Sequence, residues 1–364
     1  MKVAIVHDWL VTNAGAEKVL RSILNIYPDA EIFSLVDFLS PEERDIIIDG
    51  KKVHTSFIQK LPYAKKHFRN YLPLFSKAIE SFDLSAYDLI ISSSWAVAKG
   101  VKKSPDQLHV SYCHTPIRYA WDLYDEYTQG LPWLKKILVQ NILKYIRKWD
   151  IATLDRVDHF IANSTFVQER ILRTYNREST VIHPPVDINK FSFYEEKENF
   201  HLTASRLVPY KKTKLIVEAF NKMPDQKLVV IGSGEEYDSI QKIAKDNISV
   251  LGYQSDEILI STMQRAKSFI YAAIEDFGIV PVEAMACGTP VIAYGKGGIK
   301  DTVVDGITGV FFDKQSAVSI NHAIGTFETI RFDHQSISKH ASKFSTERFE
   351  KEMKEFVQRK MESR

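Results

Sequence analysis

The feature that most constrains the fold is a double series of short, continuously apolar segments separated by helical patterns. An unbroken apolar run, rather than an alternating one, is typical of a strand that is buried on both faces of a parallel sheet. Such segments occur at Val3–Val6, Ile32–Leu35, Leu89–Ser92, His109–Cys113, His159–Ala162, Leu202–Ser205, Lys227–Ile231, Ile248–Leu251, Phe269–Ala272 and Val291–Tyr294. Two such series predict an α/β protein with two doubly wound domains.

The two series meet at residues 181–187, which include the pair Pro184 and Pro185. Adjacent prolines cannot continue a helix or a central strand, so the domain boundary is expected there. We assign residues 1–182 to an N-terminal domain and residues 183–342 to a C-terminal domain. The polar tail, about residues 343–364, has a helical pattern. A chain of 364 residues is long enough for both domains.

Composition indicates a soluble globular protein. Hydrophobic residues make up 45% and charged residues 26%, and the net charge of +2 gives no signal for nucleic-acid binding. Cys113 and Cys287 lie far apart, so a disulfide framework is not expected and a reducing cytoplasm fits. The N-terminus reads as a strand rather than a signal peptide, and no 18-residue apolar stretch occurs. We therefore expect a cytoplasmic protein that does not span a membrane.

Glu275 and Glu283 lie in a run that reads as a loop with Gly278, a short helix and a turn into a buried strand. A helix that begins just after Gly278 directs free N–H groups and its positive dipole end at one place, which favours an anion. Glu275 precedes the helix and Glu283 lies inside it, so the two carboxylates can flank a bound phosphate. A sugar nucleotide has that shape. The bland alternative is a chance pair of acids that only complements the helix dipole.

A basic loop follows the first strand of the C-terminal domain and contains Arg206 and Lys211. Loops at the carboxyl edge of a parallel sheet are where α/β folds bind ligands. Two cations there can neutralise a diphosphate. The alternative is an ordinary solvated lysine cluster, and the adjacent Lys212 competes with Lys211 for the role.

Gly232 and Gly234 form a Gly-x-Gly turn after another strand. A dinucleotide site needs a third glycine where this chain has Tyr237, so a dinucleotide cofactor is poorly supported. Gly252 and Tyr253 follow the next strand, where a glycine usually marks only a turn.

The segment from Ser111 to Asp122 is the richest part of the N-terminal domain. His114 stands where a strand ends and a proline turn begins, and Arg118 follows it in the pattern His-Thr-Pro-x-Arg-Tyr-x-Trp-Asp. A lone histidine at such a place is more often a satisfied structural residue than a ligand contact, so both readings stay open. The opening residues of the chain add His7, Asp8 and Trp9, directly after the first strand.

Together these motifs resemble family 4 retaining glycosyltransferases, which have the GT-B fold, and the similarity spans nearly the whole chain. The resemblance implies two Rossmann-like domains facing across a cleft, with the C-terminal helix crossing back to the first domain. The N-terminal domain would bind the acceptor and the C-terminal domain the nucleotide-sugar donor. It also implies that Glu275 and His114 contact the transferred sugar, Glu283 the ribose, and Arg206 with Lys211 the donor diphosphate.

The resemblance implies further contacts with the donor and the acceptor. The donor-binding set is Glu283, Phe277, Gly278, Ile279, Val280, Gly15, Gly252 and Tyr253, and the acceptor or supporting candidates are Asp8, Trp9 and Arg118. The family commonly has two glycines in the first loop, where this chain has Ala14 and Gly15. That departure puts the close approach of the loop at residue 14 in doubt.

The His114 segment and the opening His7-Asp8-Trp9 look like those of bacterial mannosyltransferases that build O-antigen or similar polysaccharides. The resemblance implies a GDP-mannose donor, a lipid-linked saccharide acceptor of the undecaprenyl-diphosphate type, and no cofactor. No Asp-x-Asp triplet occurs, and no metal is expected. Retention is expected by a front-side route, although Glu275 could also be offered as the nucleophile of a double displacement.

Residues 131–149 read as a helix with an apolar stripe through Leu134, Leu138, Ile142, Tyr145 and Trp149 and with lysines elsewhere. One reading is a core helix with a basic outer face. The other is a surface that rests on anionic lipid at the inner face of the plasma membrane, joined by residues 65–69.

Three alternatives to the mannosyltransferase reading remain. One is a glycosyltransferase that uses a UDP-sugar. Another is a nucleotide-sugar epimerase, which also joins two Rossmann-like domains. The third is a non-enzymatic module that binds nucleotide sugars or lipids. The presence together of Glu275, Glu283, Arg206, Lys211 and His114 favours an enzyme.

Overall fold

The computed structural model describes residues 1–122 and 129–363. The chain forms two compact units, one made of Met1–Pro185 with Phe349–Arg364 and the other of Val186–Arg348. The first unit thus ends three residues after the boundary that the sequence suggested at residue 182.

The first unit contains one sheet. Its strands are β1 (Val3–His7), β2 (Glu31–Ser34), β3 (Val53–Thr55), β4 (Leu89–Ser94), β5 (Leu108–Cys113), β6 (His159–Ala162) and β7 (Ser179–Val181). All pair in parallel in the order β3-β2-β1-β4-β5-β6-β7. Helices in this unit are α1 (Gly15–Ile26), α2 (Pro41–Ile48), α3 (Ala64–His67), α4 (Phe75–Ile79), α5 (Trp133–Ala152) and α6 (Thr165–Tyr175).

The second unit repeats this architecture. Its strands are β8 (Glu198–Ala204), β9 (Leu228–Ile231), β10 (Ile248–Gly252), β11 (Ala266–Tyr271), β12 (Val291–Tyr294) and β13 (Gly309–Phe312), in the parallel order β10-β9-β8-β11-β12-β13. Its helices are α7 (Thr213–Phe220), α8 (Tyr237–Ile243), α9 (Asp256–Arg265), α10 (Ile279–Ala286), α11 (Ile299–Thr302), α12 (Ala317–Glu328) and α13 (His334–Ala341), and α14 (Thr346–Glu362) ends the described chain.

The last helix packs on the first unit, because Phe349, Met353, Phe356 and Val357 join the buried cluster that also contains the strand β1. Parallel sheets with helices on both faces and a terminal helix on the first unit confirm the predicted α/β class with two Rossmann-like domains. All ten predicted strands are present.

Three strands escaped the sequence reading. β3 and β7 are edge strands of three residues that are only half-buried, so they lack the unbroken apolar run that marks a central strand. β13 is short and begins with Gly309, a residue that is rare in strands. Glycine is needed there because a Cβ would clash with the carbonyl oxygen of Val291.

The sequence left two readings of α5 open, a core helix and a membrane-facing surface, and the core reading fits only the second half of the helix. The buried side chains of this helix are Leu143, Ile146 and Asp150, whereas its first two turns point outward. Leu134 and Leu138, both on the predicted stripe, are 65% and 60% exposed. Across residues 1–122 and 129–363, no helix combines the length and apolar character needed to cross a bilayer.

Candidate functional site

The second unit gathers several of the predicted side chains at the carboxyl edge of its sheet. β8 ends at Ala204 and β11 ends at Tyr271, and the two strands are neighbours. The basic loop leaves β8 and the glutamate loop leaves β11, so Lys211 and Glu275 meet although 64 residues separate them in the chain. This is the edge at which open α/β sheets bind ligands.

The centre of this cluster is the Glu275 carboxylate. One of its oxygens, Oε1, accepts a hydrogen bond from the Lys211 ammonium in an ion pair. The other, Oε2, lies 2.5 Å from the Tyr271 hydroxyl, which donates to it. The side chains of Lys211 and Glu275 are 14% and 24% exposed, so the pair is shielded yet reachable from solvent.

Tyr271 fixes the Glu275 carboxylate by donating a hydrogen bond to it. Burial, followed by the charge of Glu275, raises the pKa of Tyr271 well above 10, so its hydroxyl keeps its proton and remains a donor at neutral pH. This contact was missed in the sequence because Tyr271 lies inside an apolar strand pattern, where a tyrosine reads as core. A hydroxyl at the last position of a strand that precedes a candidate carboxylate is the signal that could have found it.

The helix α10 begins where the sequence predicted. Gly278 is its N-cap residue and has φ +92°, a left-handed conformation that strongly favours glycine. A Cβ there would lie 3.2 Å from the Tyr271 hydroxyl, so glycine also leaves room for that contact. The N–H groups of Ile279 and Val280 in the first turn need partners from outside the helix, which suits an anion.

A second glycine pair supports the glutamate loop and was not singled out from sequence. The N–H of Gly298 donates to the carbonyl oxygen of Glu275 at 2.9 Å. Gly297 has φ +91°, and a Cβ on it would lie 2.6 Å from the same oxygen. The loop after β12 thus packs directly on the backbone that carries the carboxylate.

The other predicted groups of this unit vary in exposure. Arg206 is exposed and donates through Nη2 to the Tyr210 hydroxyl at 2.7 Å. Glu283 is 7% exposed within α10, and Phe277 is 4% exposed and packs against Phe344, so the Phe277 side chain belongs to the core.

Gly252 ends β10 with φ +70°, and its carbonyl oxygen accepts the Gly232 N–H at 2.8 Å. The following side chain, Tyr253, is 78% exposed. An exposed ring beside a strand end offers a flat apolar surface on which a base could stack.

In the first unit, His114 follows the end of β5. Its Nε2 lies 2.8 Å from the Ser93 hydroxyl, and its backbone N–H donates to Ser94 at 2.9 Å. Asn163 donates its side-chain amide to the His114 carbonyl oxygen at 3.0 Å. Burial, with a smaller contribution from His7, lowers the pKa of His114 to about 3, so the imidazole is neutral at pH 7.

Asp8 is fully buried, whereas a residue that binds a ligand directly must be accessible to it. Its two carboxylate oxygens accept four backbone N–H groups, at 2.6, 2.8, 2.6 and 2.7 Å, from residues 95–98. Burial raises the pKa of Asp8, and the hydrogen bonds from the N–H groups of Trp95, Ala98 and Val97 oppose the rise. The carboxylate therefore fixes the turn after β4 and has no lone pair left to accept a hydrogen bond from the acceptor saccharide.

The remaining candidates of the first unit are Trp9, Arg118 and Gly15. Trp9 packs edge-on against Trp95 at a centroid distance of 5.1 Å and also contacts Phe68 and Phe75. Arg118 is half-buried, and its Nε has no hydrogen-bond partner among residues 1–122 and 129–363.

Gly15 begins α1, and the alanine before it turns out to cause no strain. Ala14 has φ −137° and ψ −165°, an extended conformation that any residue adopts. Its N–H donates to the Glu17 carboxylate at 3.0 Å, which closes the first turn of the helix.

Two protein-family models match the chain. The one described as Glycosyltransferase Family 4 covers residues 31–190, and the one described as Glycosyl transferases group 1 covers residues 187–344. The Glycosyl transferases group 1 match contains Lys211, Tyr271, Glu275 and α10. The Glycosyltransferase Family 4 match contains His114.

The curated relatives are more distant and partial. A D-inositol 3-phosphate glycosyltransferase of Mycobacterium sp. (strain KMS) is 29% identical over 196 residues, covering 47% of this chain and 45% of the relative. A GDP-mannose-dependent alpha-(1-6)-phosphatidylinositol monomannoside mannosyltransferase of Mycolicibacterium smegmatis is 30% identical over 141 residues, covering 33% of this chain and 36% of the relative. The chain spans about half the length, or less, of the curated relatives it matches.

Solved structures match over the full chain. HepE of Anabaena, crystallised with UDP and glucose, gives a TM-score of 0.70 at 20% identity and covers 98% of this chain and 100% of its own. The apo form of WaaB, a lipopolysaccharide outer core galactosyltransferase, gives 0.71 at 16% identity and covers 99% and 100%. At such identities the likeness shows a common fold.

Proposed function

The chain belongs to the family 4 glycosyltransferases of GT-B fold, and we propose that it transfers a hexose to a hydroxyl of a lipid-linked saccharide. The hexose we propose is mannose, and the donor is GDP-mannose. The observation that carries this proposal is the Lys211–Glu275 ion pair beside the N-terminus of α10. A cation, a carboxylate and free helix N–H groups at one sheet edge are the complement of a diphosphate joined to a polyol.

The roles within this cluster follow from charge. Lys211 is held by Glu275 in the absence of ligand, and an incoming diphosphate offers the ammonium a second, more negative partner. Arg206 and the first N–H groups of α10 add further positive potential. Glu275, still held by Tyr271, is then free to accept hydrogen bonds from hydroxyls of the hexose, and we assign Glu283 to the ribose.

The transfer we propose is a front-side displacement with retention. The acceptor oxygen forms a bond to the anomeric carbon while the bond from that carbon to the diphosphate oxygen breaks. The acceptor proton passes to the departing phosphate, and the products are a glycoside and a nucleoside diphosphate. Lys211 and Arg206 stabilise the charge that grows on the diphosphate, and Glu275 stabilises the positive charge that develops on the sugar. We expect no metal requirement.

The preference for GDP-mannose rests on the motif pattern around His114 and on the GDP-mannose-dependent relative of Mycolicibacterium smegmatis. A UDP-sugar is the second candidate, since the Anabaena neighbour was crystallised with UDP and glucose. We propose that His114 contacts the transferred hexose in either case.

A thermal-shift screen tests the donor. GDP-mannose, UDP-glucose and ADP-glucose are each added with excess EDTA, and the melting temperature of the second unit is followed. A ligand at 100 times its Kd stabilises by about 2.7 kcal/mol, which for a unit of this size corresponds to a rise of about 5 °C or more. We expect the largest rise with GDP-mannose. A screen in which no nucleotide sugar raises the melting temperature would contradict the proposal.

The same donors separate a transferase from an epimerase. Incubated with the enzyme and no acceptor, GDP-mannose or UDP-glucose should remain largely intact for a glycosyltransferase. Rapid conversion to an epimeric sugar and free nucleotide would support the epimerase reading instead.

We also propose that the start of α5 contacts an anionic membrane, where a lipid-linked acceptor would be found. Trp133, Leu134, Ile137 and Leu138 are 70%, 65%, 49% and 60% exposed, and the lysines at 135 and 136 accompany them. Large apolar side chains next to cations suit the boundary between acyl chains and anionic headgroups. We therefore propose that the enzyme works at the cytoplasmic face of the plasma membrane.

Sedimentation with phosphatidylglycerol vesicles at low salt tests the contact. The wild-type protein should bind these vesicles and not phosphatidylcholine vesicles. Removing two apolar side chains that would be buried in the bilayer costs about 3 kcal/mol or more, so the Trp133→Ser/Leu138→Gln variant should bind at least tenfold more weakly. The exposed Val318 of the second unit provides a control, since Val318→Gln should bind as the wild type does. No binding of the wild type would remove this proposal.

A further inference from the structure

A buried row of polar side chains connects the first turn of α1 to His114. His7 and Ser93 pair across the neighbouring strands β1 and β4, and His114 directly follows β5 on the other side of β4. The Ser93 hydroxyl lies 3.1 Å from Nδ1 of His7 and 2.8 Å from Nε2 of His114. On its far side His7 points Nε2 at the Glu17 carboxylate, 3.6 Å away. His7 and Ser93 are 0% exposed and Glu17 is 3% exposed.

The Ser93 hydroxyl makes this row directional. Among the described residues its hydrogen-bond partners are these two imidazoles, so its one proton goes to one ring and it accepts from the other. If it donates to His7, then His114 must carry its proton on Nε2 and leave a lone pair on Nδ1. If it donates to His114, the proton of that ring must lie on Nδ1 instead.

Glu17 decides between the two directions. A carboxylate can only accept, so a proton on Nε2 of His7 is attracted to it, whereas a lone pair there would face two negative oxygens. At 3.6 Å the contact is longer than a hydrogen bond, and Nε2 of His7 has no other partner among the described residues. In a neutral imidazole, protonation on Nε2 leaves Nδ1 of His7 to accept from Ser93, and Ser93 then accepts from Nε2 of His114.

Neighbouring groups keep this row in place. The Trp95 ring stands edge-on to both imidazoles, at centroid distances of 4.9 Å from His7 and 5.6 Å from His114. The Ala14 N–H holds the second Glu17 oxygen at 3.0 Å. The row is therefore buried and its side chains are held in place. In such a setting each hydrogen bond has a fixed direction, so each imidazole has one preferred tautomer.

We propose that Glu17, His7 and Ser93 are positioning residues that hold His114 in the Nε2–H tautomer, so that its Nδ1 accepts a hydrogen bond from a hydroxyl of the transferred hexose. This proposal rests on the proposed function for the identity of the hydroxyl. Nδ1 of His114 makes no hydrogen bond to another described residue, so it is available to a ligand. The Glu17 carboxylate in the first turn of α1 thus determines whether Nδ1 of His114, the nitrogen that faces the sugar, carries a lone pair or a proton.

The variant Glu17→Gln gives a sharp test because it should reverse the row. Its amide oxygen must still accept the Ala14 N–H, so the amide NH₂ turns to Nε2 of His7 and forces that nitrogen to accept. His7 then donates through Nδ1 to Ser93, Ser93 donates to Nε2 of His114, and the proton of His114 moves to Nδ1. Glutamine also preserves the hydrogen bond that closes the helix.

Two-bond ¹H–¹⁵N correlation spectra of histidine-labelled protein report the tautomer directly, with the His114 signals assigned by their loss in His114→Asn. We expect the Nε2–H form in the wild type and the Nδ1–H form in Glu17→Gln. Ser93→Ala is the second variant, since losing the hydroxyl uncouples Glu17 from His114 and should give a mixture of both forms. A wild-type Nδ1–H form, or identical His114 spectra in the wild type and both variants, would overturn the proposal.

The spectra need no substrate, so this test and the test of the proposed function fail separately. Kinetics add a second readout: Glu17→Gln should lower kcat at least tenfold while the KM for the donor changes less than threefold. The expected tautomers with no nucleotide-sugar binding would refute the proposed function and leave the hydrogen-bond direction standing. Normal transfer with the opposite tautomer would refute only the inference about Glu17.

Discussion

Replacing Glu275 with alanine is expected to lower kcat by about 10²–10³-fold while the KM for the donor stays within about threefold. In the proposed mechanism the carboxylate acts mainly on the positive charge that develops on the sugar as the bond to the diphosphate breaks, so its loss should affect the transition state more than the bound donor. Steady-state kinetics with the donor identified by the thermal-shift screen measure both constants.

The contrast with Lys211→Ala makes this prediction specific. In the proposed mechanism Lys211 contacts the diphosphate both before and during transfer, so its loss should raise KM and lower kcat. The adjacent Lys212→Ala removes the same charge from the same loop and serves as the matched control, with both constants near those of the wild type. Near-normal turnover of Glu275→Ala would refute the assignment of the donor site.

The second large effect concerns folding of the first unit. Asp150→Ala is expected to lower the free energy of unfolding of that unit by about 3–5 kcal/mol, because it leaves the Lys99 ammonium buried without its counter-charge. Lys99 and Asp150 form a 2.8 Å ion pair in which both side chains are almost fully buried. The Asp150 carboxylate also accepts hydrogen bonds from Trp121 at 2.8 Å and Tyr175 at 3.2 Å.

The measurement is urea unfolding followed by tryptophan fluorescence. All five tryptophans of the chain lie in the first unit, so the signal reports that unit alone. Removing both charges in Lys99→Met/Asp150→Asn should recover at least half of the loss, since no unpaired charge remains. The surface pair of Arg21 and Asp49, 2.7 Å apart in the same unit, is the control: Arg21→Met should change stability by less than about 1 kcal/mol. An equally small effect of Asp150→Ala would contradict this account of the pair.

The fold could be read from sequence because buried parallel strands carry an unambiguous pattern. Nine of the ten strands in the double series lie inside their sheets, with a neighbouring strand on each side. The tenth, Ile248–Gly252, is an edge strand but contains three aliphatic side chains. The edge strand Val53–Thr55 contains only one aliphatic side chain, so no pattern can mark it. For the start of α5, helical spacing identified the helix, but amphipathicity cannot say whether an apolar face meets a core or lies at the surface.

The candidate site was predictable where a residue's chemistry is conspicuous. Lys211, Glu275 and Gly278 stand in loops after strands, and the structure brings all three to one edge. Tyr271 and Ser93 were hidden because both lie within strands, where a hydroxyl attracts no notice until its partner across the sheet is known. Asp8 shows the reverse: a conspicuous carboxylate turned out to be saturated by four backbone N–H groups.

Calorimetric titration of GDP-mannose, with UDP-glucose as the second ligand, tests the central claim that the Lys211–Glu275 cluster binds a nucleotide sugar. We predict that the wild type and Lys212→Ala bind one of these donors with similar affinity. Losing a charge-assisted contact worth about 1.5–3 kcal/mol should weaken binding to Lys211→Ala at least tenfold. Equal affinity of Lys211→Ala and the wild type, or no binding of either donor, would contradict the claim.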